Sequence, residues 1–70
     1  MDKIEVIKHR VKWLFKNTGA KAECGLMQFQ HRIAVKLGYK QWREMLLLSV
    51  DEHDKIIAKL DEMKAAVTNK

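Results

Sequence analysis

The chain has 70 residues, 47% hydrophobic and 33% charged, with a net charge of +5 at pH 7, no proline and one cysteine. That length holds a single helical domain, residues 1–70, with a marginal core, because so short a chain buries only about 60% of the surface it exposes when unfolded. The composition excludes a disordered chain, the lone cysteine excludes an intrachain disulfide, and no window approaches the ~18 apolar residues of a membrane span.

A single thiol and a start, "MDKIEVIKHRVKWLF", with no apolar signal core together predict a cytoplasmic setting. The charge is uneven. Residues 1–43 carry a net +7 and residues 44–70 a net −2, which predicts a directed electrostatic face.

The first helix is expected over Asp2 to Asn17, capped by Asp2 and stopped at Thr18-Gly19. Ile4, Ile7, Val11, Leu14 and Phe15 share one face, and Lys8, Lys12 and Lys16 form an i, i+4 ridge on another. Val6 and Trp13 lie nearly opposite the main stripe, so this helix has a second apolar surface to cover. Residues 18–25, "TGAKAECG", read as a loop in which Ala20 to Glu23 adds a turn of helix.

A second helix is predicted over Leu26 to Leu37, its stripe Leu26, Phe29, Ile33 and Leu37 spaced 3, 4 and 4, with Gly38 as its C-cap glycine. The third is short, Lys40 to about Leu48, with Trp42 and Leu46 on its inner side and Met45 and Leu48 widening it. Ser49-x-x-Glu52 is a capping box that opens the fourth. There His53, Ile56, Leu60, Met63 and Val67 repeat at spacings of 3 and 4, a seam that predicts packing within the chain or in a small dimer, and Asp51 is spaced to pair with Lys55. With neither period-2 alternation nor an Asn-Gly or Asp-Gly turn, no strand is expected.

The fold expected is all-α: a compact three- to four-helix domain with a helix-turn-helix-like corner at residues 37–40. Its core is expected to hold Ile7, Val11, Leu14, Leu26, Phe29, Ile33, Leu37, Trp42, Leu46, Ile56, Leu60 and Met63.

Chemistry-bearing residues are sparse. His9, Cys24, His31 and His53 lack the close pairs of a structural zinc site, and no glycine-rich phosphate loop is present. Cys24 with His31 would be the one thiol–imidazole pair, without a signature around the cysteine and in a chain with little room for a cleft. The expectation is therefore no enzyme, no catalytic residues, no metal, no cofactor and no small-molecule substrate.

The segment "HRIAVKLGYKQWREML" carries two resemblances. Gln30-x-x-x-Ala34-x-x-x-Gly38, with apolar Ile33, Leu37, Tyr39 and Leu47, resembles the helix-turn-helix over about half its length: a small residue lets the helices cross and a glycine permits the left-handed turn. Glu44 stands where that pattern is aliphatic, and Trp42 where it is exposed. "IAVKLGYKQWREML" also resembles the A-x-x-LG[YF]-x-x-W-x-x-L segment of small helical modules attached to glyoxalase-related proteins and found alone in bacterial mobile elements. This second resemblance spans 14 of the 70 residues, implies a three- or four-helix fold and carries no glyoxalase chemistry.

Two functions are compatible with these features. In the first, a DNA-binding regulator, Lys8, Lys12, Lys16 and Lys21 contact phosphates of duplex DNA, Arg32 and Lys36 extend the footprint, and Lys40, Gln41 and Arg43 lie near base edges. In the second, a protein-interaction module, Val6, Arg10 and Trp13 on the first helix, or the seam on the fourth, meet a second copy or a host protein. The other placement for Trp13 is beneath the 18–25 loop.

Overall fold

The computed structural model describes residues 2–68. Four α-helices follow one another: α1, Lys3–Asn17; α2, Leu26–Lys36; α3, Trp42–Leu46; and α4, Val50–Thr68. Among the described residues there is no strand.

Local chemistry accounts for the ends. The Asp2 carboxylate accepts from the Ile4 N–H at 3.3 Å and caps α1. At the other end the Leu14 carbonyl accepts both the N–H and the hydroxyl of Thr18, and Gly19 turns away at φ 81°. The turn expected from Ala20 to Glu23 is a 3-10 turn over Ala20–Ala22, with Ala20 buried. Helix α2 ends one residue earlier than expected, in a Schellman turn. Gly38, at φ 97°, donates to Val35 and Tyr39 donates back to Ala34 at 2.9 Å. Ser49 Oγ then accepts from the Glu52 N–H at the start of α4, as the capping box predicts. The Glu52 carboxylate pairs with Lys55 at 3.3 Å, taking the lysine expected to pair with Asp51.

Three contacts between α1 and α4 keep step: Lys3 with Asp54, Arg10 with Asp61, and Trp13 with Lys64. Each pair has the same sequence separation, 51. The two helices therefore run parallel, with the loops, α2 and α3 as the crossover between them. Helix α4 is about 28 Å long at 1.5 Å per residue, against a longest molecular dimension of 32 Å, so the pair sets the long axis.

The core sits between this pair and the crossover: Ile7, Val11 and Leu14 of α1, Ile33 and Ala34 of α2, Met45 of α3, and Ile56 and Leu60 of α4. The α4 seam is thus satisfied inside the chain at His53, Ile56 and Leu60. Helix α3 is shorter than expected and turned differently: Met45 is fully buried, while Trp42 and Leu46 are half-buried against the core. The cause is Tyr39 to Gln41. The chain leaves the Schellman turn extended, with Gln41 at φ −144° and ψ 152°, so helix begins only at Trp42 and presents Met45 inward. Leu26, Phe29, Leu37 and Met63, also expected in the core, are half-buried.

Among the described residues His53 is the buried polar side chain. Its Nε2 lies 3.1 Å from the Leu46 carbonyl and donates to it, tying the last turn of α3 to the first of α4.

Candidate nucleic-acid interface

Parallel pairing divides the cations of α1 into two sets. Lys3 and Arg10 turn to α4, where Asp54 and Asp61 neutralise them. Lys8, Lys12 and Lys16, four residues apart, stand exposed on the other side of the helix, with no acidic partner among the described residues. Two of the six acidic residues in 44–70 are therefore spent on one flank of α1, and the ridge keeps its charge. Thus α4 separates sign across α1, which composition alone does not reveal.

The other expected contacts are dispersed. Lys21 is exposed in the 3-10 turn, and Arg32 is exposed on α2 with its guanidinium 3.8 Å from the Glu23 carboxylate. Lys36 is exposed on α2 and lines a groove between α2 and the C-terminal halves of α1 and α4. Lys40, Gln41 and Arg43 are all exposed where the chain comes out of the corner into α3. Gln41 occupies the N-cap of α3 without a capping side-chain bond, so its amide is free for another partner. At the corner Ala34 is fully buried and Gly38 is left-handed, while Leu47, one of the apolar positions of the resemblance, is exposed. With five residues, however, α3 offers a short edge to any groove of DNA.

On the second apolar surface of α1, Val6 and Trp13 are half-buried. Trp13 packs against the core, and Lys64 Nζ stands 5.0 Å from its ring centroid. Arg10 is engaged by Asp61. Apolar side chains stand out elsewhere: Met27 and Val35 on α2, and Leu47 and Val50 where α3 gives way to α4. Sequence reasoning passed over Met27, Val35 and Val50, and named Leu47 only as an apolar position of the corner. Met27 and Val35, eight residues apart, share a helix face with exposed His31, a spacing the sequence contains but the α2 stripe overshadows.

Cys24 is half-buried before α2 and His31 is exposed upon it. Among the described residues no three His, Cys, Asp or Glu side chains gather as a metal-binding group, and no helix is long and apolar enough to cross a membrane. Comparison of the chain with protein-family models, curated proteins and solved structures finds no match.

Proposed function

We propose that this chain is a small basic helical DNA-binding regulator, acting in the cytoplasm and meeting duplex DNA mainly through its phosphates. The observation that carries this reading is the separation of charge on α1: Lys3 and Arg10 are neutralised by α4, and Lys8, Lys12 and Lys16 are left as an exposed ridge. Lysines at that spacing suit a phosphate backbone, which rewards positive charge without demanding a rigid geometry. Lys40, Gln41 and Arg43, around the start of α3, supply the donors that read base edges when a helix enters the major groove by its N-terminal residues. Phosphate contacts dominate in this reading because α3 is too short to read more than a few base pairs. Binding to mixed-sequence duplex DNA, measured at several salt concentrations, tests it. The logarithm of affinity should fall linearly with that of salt, with a slope of about −3 to −4 for Lys8, Lys12 and Lys16 with or without Lys40. A folded chain that leaves duplex DNA unshifted at low salt overturns the reading.

A second reading, a protein-interaction module that pairs with itself or with a host protein, is favoured by exposed Met27, Val35, Leu47 and Val50. Light-scattering mass across a concentration series separates self-association from the monomeric regulator.

A further inference from the structure

Helices α1 and α4 close tightly at Ile7, Val11, Ile56 and Leu60, and α2 packs on them through Ile33 and Ala34. Toward the C-terminal ends of α1 and α4 they part, leaving a groove of about 320 Å³. Leu14 and Ile33 are its floor, both buried, and half-buried Phe29, Met63 and Val67 are its walls. Phe29 is braced from behind by Phe15, ring to ring at 5.4 Å. The volume lies at the lower end of the range for small-molecule pockets, ~300–1,000 Å³.

Its polar groups are few. The Thr18 hydroxyl already donates to the Leu14 carbonyl at 2.7 Å. Among the described residues Lys36 is the one charged residue lining the groove, and no acidic side chain pairs with it. A neutral apolar guest would leave that ammonium unused and a cationic guest would be repelled. A multiply charged anion would find a single counter-charge and an apolar wall.

We propose that the groove binds an amphiphilic monocarboxylate, its acyl chain along Leu14, Phe29, Ile33 and Met63 and its carboxylate on the Lys36 ammonium. The apolar walls supply affinity in proportion to chain length, and the ammonium selects the charged head over a neutral one. This site is separate from the α1 ridge and does not rest on the DNA-binding reading.

Isothermal titration of the full chain with hexanoate, octanoate and decanoate below micelle formation tests the proposal, with 1-octanol as the neutral comparison. Affinity should rise up to about fourfold per added methylene until the groove is filled, and octanoate should bind several-fold tighter than octanol. Lys36→Gln should remove the preference for octanoate while leaving octanol binding in place. Ala66→Trp, on the exposed lip of the groove, should abolish binding of both. Should Ala66→Trp fail to fold, methyl resonances of the unsubstituted chain decide: decanoate should shift the Met63 methyl and leave exposed Met27 unmoved. Four results overturn the proposal: neither heat nor a Met63 methyl shift with a folded chain, equal preference for octanoate in Lys36→Gln, a shift at Met27 in place of Met63, or a dimer that Ala66→Trp splits. The last would make a second copy the occupant.

Discussion

Arg10 and Asp61 touch without a hydrogen bond: Nε lies 2.8 Å from the carboxylate oxygen, yet its N–H is not aimed at it, and the buried Nε has no other partner. The contact is thus electrostatic, and the buried donor has no hydrogen bond to lose when the acid is removed. Asp61→Ala should cost about 0.5–1 kcal/mol, the attraction lost from a partly exposed pair whose arginine keeps its unpaired nitrogen in either case. Asp54→Ala, whose partner Lys3 is more exposed, should cost under about 0.5 kcal/mol, as surface pairs do. Urea melts of the two variants give the comparison; equal costs would mean that the lower exposure of the Arg10 pair is immaterial.

Ala34 has no exposed surface and sits among Ile33, Met45 and the core of α1 and α4. Ala34→Leu should destabilise by about 1–3 kcal/mol, the usual effect of forcing methylenes into a closed core. Val35→Ala, one residue on but exposed, should change stability by less than about 0.5 kcal/mol, as exposed sites do. A thermal melt unchanged by Ala34→Leu would show that α2 and α3 do not cross closely there.

Gly38 tests backbone against sterics. Its φ is 97°, and a side chain added there meets nothing within 4 Å. Gly38→Ala should therefore cost about 1–2 kcal/mol from the left-handed backbone alone. Gly38→Asn should cost less, because asparagine tolerates that region. If both variants melted equally low, a clash would be the cause instead.

Trp13→Ala should cost about 2–3 kcal/mol, below the ~3–5 of a fully buried aromatic residue, since Trp13 is half-buried against the core. Lys64→Ala should cost about 0.5–1 kcal/mol through the lost ring–ammonium contact. A Trp13→Ala domain as stable as the parent but altered in light-scattering mass would instead favour α1 as an intermolecular surface.

The two halves of the DNA reading separate by mutation. Lys12→Glu should weaken binding to every duplex and flatten its salt dependence, since a phosphate contact carries no base information. Arg43→Ala should erase preference among sequences at a cost of about 1–3 kcal/mol, the scale of one good base contact. Fluorescence anisotropy with a small panel of duplexes distinguishes the patterns. Uniform weakening by Arg43→Ala would make it one more phosphate ligand.

Elements governed by near neighbours were legible in the sequence. Asp2 and Ser49 as caps, Gly19 and Gly38 as left-handed stops, and the stripes of α1 and α4 all follow from spacings of seven residues or fewer. The third helix was less so. Over five residues the helical period does not choose between a Trp42–Leu46 face and a Met45 face, and the extended exit from Gly38 decided for Met45. Pairings at long separation left no trace. Nothing near Lys3 or Arg10 marks them for Asp54 and Asp61, so the exposed lysines could be named in advance but not the neutralisation that isolates their ridge. The groove beside Lys36 was hidden for the same reason, being built from three helices at once.

The parallel course of α1 and α4 bears on how the chain acquires its structure. A helical hairpin lets neighbours meet across a few residues, but here the two longest helices meet only after some fifty intervening residues have been gathered in. Contacts of that span slow folding relative to the local ones usual in all-helical domains. During synthesis α1 emerges before α4, and Ile7, Val11 and Leu14 have only part of their cover, from Ile33 and Ala34, until Ile56 and Leu60 have left the ribosome. The order of translation thus leaves the oldest apolar stripe waiting for the youngest.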